Sequence, residues 1–193
     1  LLVTLQGVLT GFLIAIPVGL LLATLITSFP LLNAAMSPYI TFLVTTPLVS
    51  LIPLLMLMMG YGMNMRITTV VIQSFAVINM NACTGFNNVP TLRRELMQSV
   101  GASRFQSYRM MILPSAATDI ITGLRLAAIF ATTTCISVEY NAGNTGLGSQ
   151  IIKYSQYLQT TQSFACIFYV TVIGLIMYGL ITLIQKKIVN WEE

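Results

Sequence analysis

Apolar residues fill five long stretches of the chain, and polar residues collect in the short breaks between them. A stretch of about 20 apolar residues crosses the hydrocarbon core of a bilayer as a helix, because each backbone amide then finds its partner within the segment. The pattern therefore predicts five membrane-spanning helices, at residues 2–28, 38–60, 67–85, 115–139 and 163–184.

The breaks between these stretches carry residues typical of turns, such as Pro30 with Asn33, residues 60–64, and the sequence GNTGLG within residues 141–162. A length of 193 residues is close to that of one domain. We therefore predict a single all-α polytopic membrane domain over residues 1–193. Because Leu1 lies inside an apolar stretch, we also expect one further span to precede it.

Composition supports a membrane location. The chain is 56% hydrophobic and 7% charged, with a mean hydropathy of +0.85 and no histidine, whereas soluble domains are about 25% charged. The net charge of +4 comes from few basic residues placed in predicted loops, which argues against nucleic-acid binding. The cysteines occur singly in apolar stretches, so we expect no disulfide and no metal site.

Basic residues also orient the chain. Residues 93–109 hold four arginines, and Lys186 with Lys187 falls on the same side when the five spans alternate in direction. The opposite side offers only Arg66 and Lys153. Since loops rich in arginine and lysine stay in the cytoplasm, residues 93–109 are predicted to be cytoplasmic.

The basic loop has the pattern of two short helices joined by a bend. Apolar residues four apart, Leu92, Leu96 and Val100, mark one face of the first helix, which Asn88 is expected to cap. Gly101 is a natural helix stop. A second helix is predicted from Ser103 to a break at Leu113-Pro114.

The spacing of this loop resembles the cytoplasmic loop of permeases of ATP-binding-cassette importers, E-A-A, three residues, G, nine residues, I-x-L-P. Here the match is Glu95-Leu96-Met97, then Gly101, then residues 111–114, with Leu-Met in place of two small residues and Met111 in place of isoleucine. Further segments are similar to the nitrate, sulfonate and taurine branch of that family: Thr46-Pro47, residues 52–55, residues 122–125, Val138-Glu139 and residues 146–148.

The resemblance implies the type I importer transmembrane fold in a prokaryotic inner membrane. It implies half of a translocation path for a nitrate-, sulfonate- or taurine-like anion or a pyrimidine vitamin precursor. The implied partners are two ATPase subunits, a second permease, identical or different, and a soluble binding protein. A coupling loop at about residues 86–114 would dock the ATPase through Glu95, Leu96, Met97, Gly101, Ala102, Leu113 and Pro114.

Polar residues and prolines inside the spans are candidates for the path, namely Thr46, Pro47, Ser50, Asn79, Thr132, Thr133 and Glu139. Each has an alternative reading. Proline kinks also occur where helices merely pack, and threonines bond their own backbone. Gln73, Asn79 and Asn81 are equally suited to bonds across helices, and Glu139 to a structural pair. Arg125 is expected to find a partner such as Asp119 or a helix-end carbonyl.

Other functional classes have less support in the sequence. The chain lacks the phosphate-binding motif G-x-x-x-x-G-K-[ST], so ATP hydrolysis is assigned to a partner, and no catalytic residue or cofactor is predicted. A stand-alone secondary transporter or channel is the alternative. That class usually shows inverted repeats or intramembrane ionisable residues, and flux driven by protons or sodium through the purified chain would favour it.

Overall fold

In the computed structural model, which describes residues 1–188, helices account for nearly the whole chain. No strand occurs within these residues. The order is α1 (Leu2–Ser28), α2 (Pro30–Thr45), α3 (Leu48–Met59), α4 (Met63–Asn87), α5 (Thr91–Ser99), α6 (Arg104–Ser107), a π-helical turn (Tyr108–Ile112), α7 (Leu113–Ser115), α8 (Ala117–Ala142), α9 (Leu147–Gln156) and α10 (Thr160–Ile188).

The predicted spans are confirmed with two changes, of which the first is that Pro30 and Asn33, expected in a break, lie within α2. Within the described residues, α1, α4, α8 and α10 are each long and apolar enough to cross a membrane, and α2 with α3 passes the same test as a bent pair. The pair is bent by 98°. The single second helix expected at residues 38–60 is therefore wrong, because this span is broken in its middle.

Thr46 and Pro47 cause the break. Thr46 precedes proline, which pushes it to extended backbone, and it adopts φ −69° and ψ 125°. Both its amide, at 2.9 Å, and its hydroxyl, at 2.7 Å, donate to the Phe42 carbonyl and so finish α2. Pro17, Pro38 and Pro53 lie within helices that continue past them.

Small residues hold α1 against α4. Five buried small residues follow each other at intervals of four along α1, Gly7, Gly11, Ala15, Gly19 and Ala23. A Cβ atom at Gly11 would lie 2.6 Å from the Val70 side chain on α4. Interfaces without large side chains let two membrane helices approach closely, so α1 and α4 form the centre of the bundle with α8.

The long helices alternate in direction, as the spans of the sequence predict. The Thr4 hydroxyl at the start of α1 reaches Glu139 at the end of α8, at 2.9 Å. At the other end of the bundle, Thr24 of α1 bonds Tyr108, at 2.8 Å. Residues 91–115, which we call the loop unit, therefore lie at one end, and α9 lies at the opposite end.

The last predicted loop contains a helix that the sequence analysis did not foresee. Residues 141–162 were expected to be a turn-rich loop, yet α9 occupies ten of them. Leu147, Ile151 and Tyr154 pack on the main core cluster. Their spacing of four and three is that of an amphipathic helix, and this pattern was the available indication.

Labelling from the two sides of the membrane tests this topology. Ser103 and Asn144 are both exposed and lie at opposite ends of the bundle. With Cys83, Cys135 and Cys166 replaced by alanine, single cysteines at these two positions should react with an impermeant maleimide from opposite sides. Labelling of both positions from the same side would contradict the span count.

Candidate functional site

The bend of the loop unit is a glycine-centred helix end. Gly101 has φ +69°. Its amide donates to the Gln98 carbonyl at 3.0 Å, and the Ala102 amide donates to the Met97 carbonyl at 3.0 Å. These two bonds form the Schellman motif, in which the residue after the helix takes a left-handed conformation. The predicted stop at Gly101 is confirmed.

The second helix of the loop unit starts where expected, but other details differ. Ser103 and Gln106 form a reciprocal capping box. The expected cap at Asn88 is wrong, because Asn88 ends α4 and Pro90 precedes α5 without a side-chain cap. The predicted break at Leu113-Pro114 is also wrong. A π-helical turn at residues 108–112 directly precedes the turn that contains Pro114. The hydrogen-bond pattern therefore changes where the proline lacks an amide donor, and the chain stays helical.

Arginine bonds hold the loop unit together and fix it to the bundle. Arg94 donates to the Phe86 carbonyl at the end of α4, at 2.7 Å, and Arg93 donates to the Ser115 hydroxyl, at 3.0 Å. Tyr108 packs edge-on against Phe86. Bonds to charged donors are stronger than neutral ones. The orientation of α5 is therefore tied to α4 by Arg94 and to α7 by Arg93.

The outward side of the loop unit is apolar. Large exposed side chains follow the bend on both sides, Leu92, Leu96, Val100 and Phe105. Among the predicted coupling residues, Glu95, Leu96, Gly101 and Leu113 are exposed, and Met97, Ala102 and Pro114 are half-buried. Behind α5 lies a cavity of about 330 Å³ bordered by Leu96, Met97 and Pro114. An exposed apolar surface of this kind is typical of a protein contact.

A second cavity, of about 280 Å³, lies where α2 and α3 meet. Its lining includes three of the predicted path residues, Thr46, Pro47 and Thr133. Its polar side is completed by Thr45 of α2, Gln73 of α4, and Thr134 and Ser137 of α8. Gln73 is near the middle of α4, so the cavity lies well inside the spans. We call it the break cavity.

The other predicted path residues lie elsewhere. Asn79 is buried and donates to the Gly19 carbonyl at 3.2 Å, beside a smaller cavity of about 160 Å³. Thr132 is buried and donates to the Ala128 carbonyl of its own helix, at 3.1 Å. Ser50 is exposed on α3. None of these three borders the break cavity.

Glu139 belongs to a buried polar cluster at the end of the bundle opposite the loop unit. Its carboxylate is fully buried and accepts bonds from the Thr4 hydroxyl, at 2.9 Å, and the Gly148 amide, at 3.0 Å. Arg66 Nε lies 3.7 Å from Glu139 Oε1. Gly146, at φ +109°, has no side chain, and the Glu139 carboxylate occupies the space that a Cβ atom there would need. Of the open readings of Glu139, this geometry supports a structural pair.

Arg66 completes the cluster by bonding the loop before α9. Its guanidinium donates to the Thr145 carbonyl, at 2.6 Å, and to the Thr145 hydroxyl, at 2.9 Å. The sequence placed Arg66 and Glu139 near the same side of the membrane, yet 73 residues separate them. Nothing in a local pattern could have paired them or added Thr4.

Arg125 has a different partner from the one expected. Its guanidinium carbon lies 5.6 Å from the centre of the Tyr178 ring on α10. Asp119 lies six residues before Arg125 in α8, and six residues turn a helix by about 240° beyond one full turn. The two side chains therefore face different directions. Asp119 instead packs against Gly85 of α4, where an added Cβ would lie 2.8 Å away. A cation over an aromatic face replaces the expected ion pair.

A multi-pass helical bundle, with a cavity inside its spans and an exposed apolar surface at one end, has the architecture of a membrane transport subunit. Residues 15–190 match the model of the family described as binding-protein-dependent transport system inner membrane component. The chain belongs to that family, which confirms the resemblance found in the sequence.

Individual relatives are transport permeases. The chain is 28% identical over 180 residues to the taurine transport system permease protein TauC of Escherichia coli, covering 93% of this chain and 64% of TauC. It is 25% identical over 190 residues to the formylaminopyrimidine transport permease protein ThiX of Halalkalibacterium halodurans, covering 98% and 76%. The chain thus spans just under two thirds of the length of TauC.

Solved structures confirm the predicted fold. An amino acid ABC transporter aligns with a TM-score of 0.77 at 21% identity, over 97% of this chain and 91% of its own. The inward-facing MetNI methionine ABC transporter aligns with a TM-score of 0.75 at 19% identity, over 96% and 91%. At this identity the likeness concerns the fold, the type I importer transmembrane domain.

Proposed function

We propose that the chain is the permease subunit of an ATP-driven importer and forms half of a path for a small solute in a prokaryotic inner membrane. A second permease, identical or different, supplies the other half. ATP is hydrolysed on separate subunits bound at the loop unit, and a soluble binding protein delivers the solute at the opposite end. Family membership and the permease relatives support this assignment.

The loop unit is the observation that carries the proposal. It combines an exposed apolar surface, a bend fixed by Gly101, and a bond from Arg94 that attaches it to α4. Since α4 has 25 residues, it is about 37 Å long and passes from the loop unit to the Arg66 cluster without a break. A movement of the docked ATPase is thereby transmitted along α4 to the break cavity.

Co-purification tests the assignment. The chain, expressed with an ATP-binding subunit and a second permease of the same organism, should bring the ATP-binding subunit with it through detergent purification. The complex should hydrolyse ATP, and the chain alone should not. A chain that moves solute on a proton or sodium gradient without any ATPase would contradict the proposal and favour a secondary transporter.

For the solute, we infer a small anion of the nitrate, sulfonate or taurine kind, or a pyrimidine vitamin precursor. The names of the two relatives above, which concern taurine and formylaminopyrimidine, support this range. The polar groups that line the break cavity are neutral hydroxyls and one amide, which replace hydration without holding a charge tightly. Solute selection therefore falls mainly to the binding protein.

Calorimetry tests where selection occurs. The purified permease and ATPase complex should bind none of nitrate, taurine or formylaminopyrimidine with micromolar affinity, which corresponds to about −8 kcal/mol. Adding the cognate binding protein loaded with solute should stimulate ATP hydrolysis. Tight, stoichiometric solute binding without the binding protein would overturn the assignment of selection to that protein.

A further inference from the structure

The break cavity contains two buried polar side chains without partners. Gln73 and Thr134 are each 8% exposed and line the cavity. Among the described residues, neither side chain has a hydrogen-bond partner. The neighbouring hydroxyls differ, because Thr133 and Ser137 each donate to a carbonyl of their own helix.

Of the described side chains, those of Gln73 and Thr134 are not among the polar groups that are closed off from solvent without a partner, so both polar groups open into the cavity and can bond water or a solute there. The carboxamide of Gln73 brings two N–H donors, and the Thr134 hydroxyl brings one. The cavity volume of about 280 Å³ is close to that of small ligand sites. These two residues therefore provide bonding groups for a transient occupant.

The first turn of α3 adds donors at the same place. Leu48 and Val49 line the cavity, and Pro47, which precedes them, provides no side-chain cap. The Ser50 amide bonds the Pro47 carbonyl, at 2.8 Å, but the amides of Leu48 and Val49 have no backbone acceptor among the described residues. A helix of 12 residues carries a partial positive charge at such an end.

The charge around the cavity determines which solute group these donors prefer. No acidic or basic residue is among its lining residues. Neutral donors combined with the positive end of α3 favour an acceptor that bears negative charge, while the lack of a lysine or arginine keeps the binding weak. Helix breaks inside membrane transporters hold anionic groups on the same physical basis.

We propose that the break cavity is a low-affinity station for the carboxylate or sulfonate oxygens of the passing solute. Gln73, Thr134 and the α3 amides are the groups that contact it. This inference rests on the proposed import function, since it requires that the solute pass between α3 and α8. The station is occupied transiently, which agrees with the absence of micromolar binding expected above.

Paired charged reagents test the station without knowledge of the natural solute. Ser137→Cys, in a chain whose native cysteines are replaced by alanine, places a thiol in the cavity. The assembled importer is treated with 2-sulfonatoethyl and with 2-(trimethylammonium)ethyl methanethiosulfonate, with and without ATP. The rate of reaction with the sulfonate reagent is divided by the rate with the ammonium reagent, and this ratio is divided by the same ratio at Asn144→Cys. The result measures the preference of the cavity for the sulfonate.

The ratio should favour the sulfonate reagent. Gln73→Leu and Thr134→Val should each lower it by about tenfold, the factor of one lost bond to a charged group. Gln73→Glu should lower it further, since a carboxylate repels the sulfonate. Thr69→Val is the matched control, because Thr69 is buried in α4 and donates only to its own helix, at 2.7 Å. It should leave the ratio unchanged.

Two failures are distinguishable. Reaction of both reagents with a ratio that Gln73→Leu and Thr134→Val leave unchanged would overturn the station and leave the solute path intact. No reaction at Ser137→Cys in any state would overturn the station together with the path through this cavity. Folding of each variant is checked by co-purification of the ATP-binding subunit.

Discussion

Gly101→Val should insert into the membrane at the wild-type level and abolish ATP-driven uptake. An added Cβ at Gly101 meets no atom within 4 Å, so the change acts through the backbone alone. A β-branched residue at φ +69° costs at least about 1–2 kcal/mol, enough to move the bend out of its left-handed conformation. The exposed side of α5 then points in another direction. Uptake into vesicles and the amount of bound ATPase are the measurements.

Gly101→Asn is the control for this prediction. Asparagine tolerates the left-handed conformation far better than valine and is found at helix ends of this type. It should retain most uptake although its side chain is as large. Wild-type uptake and normal ATPase binding by Gly101→Val would show that the bend has no docking role.

Glu139→Ala should destabilise the folded chain by about 3–5 kcal/mol, because it leaves the Arg66 guanidinium, which is 5% exposed, without its counter-charge. The Thr4 hydroxyl and the Gly148 amide lose their acceptor in the same change. These groups join α1, α4, α8 and the start of α9. The midpoint of thermal unfolding in detergent, and the amount of chain in the membrane, should both fall.

Two variants control this result. Glu95→Ala also removes a carboxylate, but from an exposed position, and should change stability by less than about 0.5 kcal/mol. Arg66→Met combined with Glu139→Ala should recover part of the loss, because no unpaired charge remains. Equal unfolding midpoints for Glu139→Ala and Glu95→Ala would contradict a structural role for the buried pair.

The sequence predicted most of the helices because each depends on a local property. Length and apolarity determine a span, and the glycine at Gly101 with the cap at Ser103 determines the bend. The break at Pro47 was harder to foresee. Pro17, Pro38 and Pro53 lie in helices that continue, whereas at Thr46 the hydroxyl and the amide both bond Phe42 and end α2.

The candidate sites were predictable to different degrees. The loop unit lies within 25 consecutive residues, so a local pattern predicted its bend, and the family resemblance suggested the docking role that we propose. The break cavity joins four separate helices, and only packing decides that Gln73 and Thr134 face it while Thr132 bonds its own helix. The partners of Glu139 and Arg125 likewise depend on which helices are neighbours. Periodicity predicts which face of a helix carries a residue, but it does not predict which neighbouring helix that face contacts.

Photo-crosslinking tests the docking of an ATPase on the loop unit most directly. A benzophenone amino acid replaces Leu96, which is 62% exposed on α5, or Leu57, which is 86% exposed on α3 toward the opposite end of the bundle. In membranes holding the assembled importer, irradiation should join the chain to the ATP-binding subunit from position 96 and not from position 57. Failure of position 96 to reach that subunit, or equal crosslinking from both positions, would contradict the account.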